Sequence, residues 1–268
     1  MRKLETVSLN ELGGRKNNED AIYPAFGQVY DPANRLFLVC DGVGGQEKGE
    51  IASNLITQNF HEFIGHQLPD GERFIDALRY VEGQINDYLS RKPEARGMAS
   101  TLTVIQFDER QSQARVGWVG DSRIYHIREG QIVFKSKDHS EVQSLIDMGE
   151  ITEEEALTHP RRNVITRAVN GHTPARMDQK LITDIRSGDY FLLCTDGLLE
   201  TLEEKQFPTL FTKDARVSAI KSTLLSQAMG HTKDNFSMYL IKVLGEAAKP
   251  QNEDLLDGFI QGIKRLFK

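Results

Sequence analysis

The chain has 268 residues, 39% of them apolar and 27% charged, which is the balance of an ordinary globular protein and excludes a disordered or fibrous one. At this length folding buries about three quarters of the unfolded surface, so no disulfide or metal staple is needed. The net charge of −6 lacks the basic footprint of duplex binding and argues against nucleic acid as a partner.

The N-terminal segment MRKLETVSLNELGG has no apolar signal core, and no run approaches the length of a membrane span. The expectation is a cytoplasmic protein. Residues 35–40, RLFLVC, then form a short apolar run that stops at Asp41-Gly42, the pattern of a buried strand entering a turn. Ala52, Leu55, Ile56, Phe60 and Phe63 recur at helical spacing, as do Phe74, Leu78, Val81, Ile85 and Tyr88, which predicts two successive amphipathic helices. Gly83 lies inside the second and costs it about 1 kcal/mol relative to alanine.

From Thr101 to Phe134 the segments TLTVIQF, ARVGWVG, RIYHIRE and QIVFK are short and β-branched, and they predict an antiparallel meander with Trp118 in the core. Ser140 with Gln143, and Thr152 with Glu155, read as capping boxes of two short helices, with Gly149 as a stop. His159-Pro160 breaks the second. This charged pair, about 138–162, reads as a flap, which His139 and His159 shape rather than serve as catalysts. Strands are expected again at NVITRAV, RMDQKLI and DYFLLC, the last running into Thr195-Asp196-Gly197. VSAIKSTLLSQAM predicts a helix, and FSMYLIKVL a final strand directly after Asp234-Asn235. Helices cluster instead of alternating with strands, so the class is α+β with antiparallel sheets. Cys40 and Cys194 each end an apolar run and read as buried thiols.

The tail is different. AAKPQNED is a polar linker, and DLLDGFIQGIKRLFK places Leu255, Leu256, Phe259, Ile260, Ile263, Leu266 and Phe267 on one helical face. A helix docked on the body, a partner-docking helix and a membrane-surface anchor all fit residues 253–268. The division expected is one domain over 1–246 and an appendage over 247–268.

Several acidic residues share a context. Asn18-Glu19-Asp20 precedes a core strand, Asp41-Gly42 and Asp196-Gly197 each end one, and Asp234-Asn235 begins another. Any one alone is a turn, but together, on neighbouring strands, they bring several carboxylates to one place. Like charges that close require a cation. Hard oxygen donors without a His–Cys constellation point to Mg²⁺ or Mn²⁺ rather than Zn²⁺. The glycines of Gly42-Val43-Gly44-Gly45 allow a backbone carbonyl to approach such an ion. Arg15, four residues before Glu19, has the fork geometry for a phosphate.

The blocks GGRKNNEDA, FLVCDGVGG, VGWVGDSRIY, DHSEVQSLIDMGEIT, HPRRNVITRAVNG, LLCTDGLLE and KDNFSMYLI resemble, in order, the motifs of the PPM-type metal-dependent protein phosphatases (the 2C class), and most closely those of the compact bacterial members. Each block alone is weak; seven in order and spacing are specific. The resemblance implies a sandwich of two antiparallel sheets with helices on both outer faces, a four-layer α+β fold. It implies that Asp41 bridges two metal ions, that the Gly42 carbonyl binds one, and that Asp196 and Asp234 bind the other. Glu19 and Asp20 match the acidic pair that holds metal-bound waters, and Arg15 the phosphate-binding arginine. Asn235 matches the residue that supports the last ligand, and Asp121 matches a ligand of a third metal shared with Asp196.

The implied activity is hydrolysis of phosphoserine and phosphothreonine in proteins by a water activated between two Mn²⁺ or Mg²⁺ ions, opposing a serine/threonine kinase in bacterial signalling. The implied partners are that kinase and its phosphorylated substrates, with the enzyme a monomer. Val43 stands where many eukaryotic members carry a histidine credited as general acid, so the leaving-group proton must come from elsewhere. Two other readings are weighed: a catalytically silent module of the same fold that senses or holds partners, and a metal-dependent phosphodiesterase or nuclease, against which the acidic charge argues.

Overall fold

The strands are explained by which of their faces are covered. In β3 (Leu36–Val43), Leu36, Leu38 and Cys40 pack under helices while Phe37 and Val39 point into a second apolar layer. In β10 (Tyr190–Cys194), Tyr190, Leu192 and Cys194 likewise meet helices, and Phe191 and Leu193 point inward. A strand covered on both sides has no reason to alternate polar with apolar residues, which is why LFLVC and YFLLC read as unbroken runs. The computed structural model describes residues 2–27, 34–43, 48–65, 70–108 and 112–246. Gly44, Gly45 and the linker and helix expected over 247–268 lie outside the described residues.

The remaining strands are β1 (Arg2–Glu11), β2 (Asp20–Tyr23), β4 (Ala99–Ser100), β5 (Leu102–Asp108), β6 (Gln113–Val119), β7 (Arg123–Arg128), β8 (Gln131–Lys135), β9 (Asp178–Ile182) and β11 (Phe236–Glu246). Their pairings are antiparallel. One sheet runs β1-β11-β10-β7-β8; the other runs β2-β3-β5-β6-β9, with β4 beside β3. Between them lies a layer that includes Phe37, Ile105, Val116, Phe191 and Ile241. Helices α1 (Gly49–Ile64) and α2 (Gly71–Arg91) cover the outer face of the second sheet. Helices α5 (Asp196–Leu199), α6 (Phe207–Leu210) and α7 (Val217–Ala228) cover the outer face of the first. The four-layer α+β sandwich expected from the sequence is the fold observed.

Three local expectations are corrected. NVITRAV is not a strand: Ile165 and Val169 make only isolated bridges, to Ser140 and Ser100. The N-terminal segment, assigned no element from sequence, is the ten-residue strand β1, paired with β11 along its length. Of the two capping boxes, the one at α4 (Glu153–Thr158) is complete. At α3 (Glu141–Asp147) Ser140 accepts from the Gln143 N–H, but the Gln143 side chain turns to Asp147, so only half the box forms. Cys40 and Cys194 are both buried free thiols, and burial, the largest cause, pushes both above the usual thiol range, to about 12 for Cys194.

Candidate metal centre

One end of the sandwich collects the chain's strand-terminal carboxylates. Asp20 opens β2 and stands directly opposite Asp41 on β3. Asp196 follows β10 at the start of α5, Asp234 precedes β11, and Asp121 sits where the chain crosses from β6 in one sheet to β7 in the other. The carboxyl groups of Asp41 and Asp196 come near enough for the Asp196 charge to raise Asp41, although 155 residues of sequence (196 − 41) separate them. The structure therefore brings Asp20, Asp41, Asp121, Asp196 and Asp234 to one end of the fold. Arg15 joins them from the β1–β2 loop, its Nη2 2.5 Å from Oδ2 of Asp234.

Backbone fit fixes the frame. The Gly42 N–H donates to the Glu19 carbonyl at 3.1 Å, and Ser53 Oγ donates to the same carbonyl at 2.6 Å. A Cβ on Gly42 would lie 2.3 Å from the Gly49 carbonyl and 2.5 Å from that of Glu19. Only glycine lets β3, the Glu19 loop and the start of α1 meet here. Asp41 is clamped by residues that sequence reasoning missed. Its N–H donates to Thr101 Oγ1 at 2.9 Å, and its carbonyl accepts from Ser100 Oγ at 2.8 Å. Thr195 Oγ1 donates to Oδ2 of Asp20 at 3.0 Å and accepts from the Ser237 N–H at 2.9 Å. Hydroxyls beside strand ends are too common in sequence to stand out, so proximity alone reveals these roles.

Asn235 is buried and acts as a hub. Its Oδ1 accepts from the Glu19 N–H at 2.9 Å, and its Nδ2 donates to the carbonyls of Leu12 (2.8 Å) and Asn17 (2.9 Å). It fastens the loop that carries Arg15 and Glu19 to the start of β11.

The electrostatics are those of crowded, desolvated acids. Burial, then the charges of Asp196 and Asp234, pushes Asp20 up to about 7, against the opposing hydrogen bond of Thr195. Burial, then Asp196 and Asp138, pushes Asp121 up to about 7. Burial, then Asp20, Asp196 and Asp121, raises Asp41 well above its ordinary range. Burial, then Asp234, raises Asp196. Carboxylates so destabilised in their charged form favour a cation among them.

Oδ1 of Asp20 and Oδ1 of Asp196 are buried with no hydrogen-bond partner, and hard, partnerless oxygens suit Mg²⁺ or Mn²⁺. The residues present fit such ions in chemistry. Among the described residues, no three His, Cys, Asp or Glu side chains enclose a common point. Asp234 is drawn instead to Arg15. That pairing raises Arg15 further above its usual range, chiefly through the Asp234 hydrogen bond.

A family model for protein phosphatase 2C matches residues 13–231. The serine/threonine protein phosphatase PstP of Mycobacterium tuberculosis is 36% identical over 197 residues, covering 71% of this chain and 35% of its own length. The chain thus spans about a third of that relative. Protein phosphatase PhpP of Streptococcus pneumoniae is 29% identical over 253 residues, covering 92% of this chain and 100% of its own. A solved structure of the catalytic domain of PstP in complex with two manganese ions has a TM-score of 0.75 at 29% identity, over 91% of this chain and 100% of that one. That family model spans most of the chain, and the chain belongs to the protein phosphatase 2C family.

Proposed function

We propose that this chain hydrolyses phosphoserine and phosphothreonine in proteins at a dinuclear Mn²⁺ or Mg²⁺ centre, opposing a serine/threonine kinase. The observation that carries the reading is the convergence of Asp20, Asp41, Asp121 and Asp196, from four separate segments, with burial raising every one of them. Asp41 and the Gly42 carbonyl would hold one ion, Asp41, Asp196 and Asp234 another, and Asp121 with Asp196 a third. Bound there, the ions supply Lewis acidity and lower the pKa of water toward ~7.

The protein's own groups supply position. Glu19 and Asp20 orient water by accepting its hydrogens. Arg15, half-exposed, swings its guanidinium from Asp234 to a substrate phosphate and grips two of its oxygens. Asn235 holds the Arg15 loop at the distance this requires. Val43 has no proton to give, so solvent protonates the leaving alkoxide. The substrates are phosphorylated proteins, with the kinase among the candidates, and the enzyme acts as a cytoplasmic monomer. Among the described residues no helix is long and apolar enough to cross a membrane. Residues 1–246 form the phosphatase domain, and 253–268 make a partner or membrane-surface contact.

Purified full-length protein is expected to release phosphate from phosphothreonine peptides with Mn²⁺ and to stop on chelation. Asp41→Asn, still folded by circular dichroism, should lose roughly a hundredfold in turnover. No turnover by the wild type in excess Mn²⁺ on any phosphopeptide would favour the silent, partner-holding module instead.

A further inference from the structure

Asp121 is carried by the tight crossing Gly120-Asp121-Ser122-Arg123, and two consecutive residues at the root of the flap, Asp138 and His139, hold both ends of it. Asp138 grips Arg123 with both oxygens, 2.9 Å from Nε to Oδ1 and 2.7 Å from Nη2 to Oδ2. His139 takes both backbone groups of Gly120. Its own N–H donates to the Gly120 carbonyl at 2.9 Å, and its Nδ1 accepts from the Gly120 N–H at 3.1 Å. The His139 carbonyl accepts from the Thr166 N–H at 2.7 Å, which ties in the segment leaving the flap.

Thr101 closes the crossing from the other side. Its Oγ1 lies 2.7 Å from Ser122 Oγ and accepts the Asp41 N–H. Gly120 has φ +101, and a Cβ there would lie 2.6 Å from Thr101 Cγ2, so the crossing is wedged against Thr101 with no room to shift.

The imidazole has one usable tautomer. With Nδ1 accepting, the proton of the neutral ring sits on Nε2, where Oδ2 of Asp178 is 3.3 Å away. Arg167 Nη1 is 3.1 Å from Nε2 and donates to Oδ1 of Asp178 at 3.0 Å, so one carboxylate serves both donors. The ring is buried and stacks on Trp118, with centroids 6.3 Å apart. The Gly120 N–H and the Asp178 carboxylate together turn the Nδ1 lone pair to Gly120.

We propose that His139 is a positioning residue for the Asp121 carboxylate, keeping flap root and metal centre in one register through the Gly120 N–H to Nδ1 bond. Its consequence for turnover rests on the phosphatase reading; its geometry does not. Two substitutions separate the acceptor from mere bulk. Asn places its Oδ1 where Nδ1 was, whereas Gln reaches the position of Nε2.

In metal-free protein with glycine-selective ¹⁵N labelling, His139→Gln should speed exchange of the Gly120 amide roughly tenfold while His139→Asn keeps it protected. With Mn²⁺ and a phosphothreonine peptide, His139→Gln should lower kcat/KM roughly tenfold, and Asn should restore most of it. On an Asp121→Asn background, His139→Gln should add no further loss. Wild-type exchange at Gly120 in the Gln variant overturns the proposal, as does a fully additive loss in the double variant. Should the Gln variant not fold, an unprotected Gly120 amide in His139→Asn overturns it equally. A wild-type protein without turnover defeats the phosphatase reading alone, and the exchange measurement still decides the role of His139.

Discussion

At the residue scale, Asn235 shows how one buried amide organises a site it does not line. Its three hydrogen bonds reach Leu12, Asn17 and Glu19. Alanine would leave two carbonyls and one N–H without their partner. Buried groups so abandoned cost about 1–3 kcal/mol each, reduced here because the loop is partly solvated. Asn235→Ala should lose about 2–3 kcal/mol in urea unfolding and should loosen the Arg15 loop, raising KM for phosphopeptide more than it lowers kcat. Unchanged stability in the variant would show the hub to be replaceable by water. Asp, nearly isosteric, should fare no better, because it cannot donate to the Leu12 and Asn17 carbonyls.

At the scale of the element, the long helix α2 carries an avoidable weakness. Gly83 is exposed in its interior, and a Cβ there meets nothing within 4 Å. Gly83→Ala should therefore stabilise the protein by about 0.5–1 kcal/mol, read as a higher urea midpoint with unchanged slope, and should leave catalysis alone. A lower midpoint would mean that the exposed face of α2 is engaged elsewhere.

Elements were legible in the sequence to the extent that burial marks them. α1, α2 and α7 show their faces by spacing, and β3, β10 and β11 by apolar runs. β1 was not legible: it edges its sheet, its buried apolar side chains are Leu4 and Leu9, and all but Val7 of the rest are charged or polar. NVITRAV misled for the converse reason. Its apolar residues Ile165 and Val169 serve single bridges rather than a ladder. At the site, Asp41, Asp196 and Asp234 could be named from Asp-Gly and Asp-Asn at strand ends, because that repetition exceeds what turns require, whereas Asp121 came only with the family resemblance. Thr101, Thr195 and the Asp138-His139 pair could not, because their meaning lies in contacts across sheets.

On the scale of the whole molecule, the end opposite the acids is neutralised from within. Asp189, at the start of β10, is fully buried. It accepts from His126 Nε2 at 2.8 Å and from Arg128 Nε at 2.7 Å. Burial alone would raise its pKa. The hydrogen bonds of Arg128, His126 and the Arg186 N–H outweigh that and hold it at about 2. With the folded value below the ordinary ~4, its stabilisation is complete above about pH 4 and is lost as pH falls toward 2. Asp189→Asn should cost about 3 kcal/mol at pH 7, since it removes the charged acceptor shared by Arg128, His126 and the Arg186 N–H. The gap between variant and wild type should narrow at pH 3. A gap that does not narrow would assign the cost to packing rather than charge.

The pairing of β1 with β11 sets the order in which the protein becomes competent. β11 lies between β1 and β10, so the earliest described strand has no neighbour in its sheet until the last described one is in place. Asp234 and Asn235 travel at the head of that late strand. A nascent chain that has delivered everything before them holds a divided sheet and an Arg15 loop with no anchor. Removing β11 would thus cost the molecule both the partner strand of β1 and the anchor of the Arg15 loop, two losses from one segment.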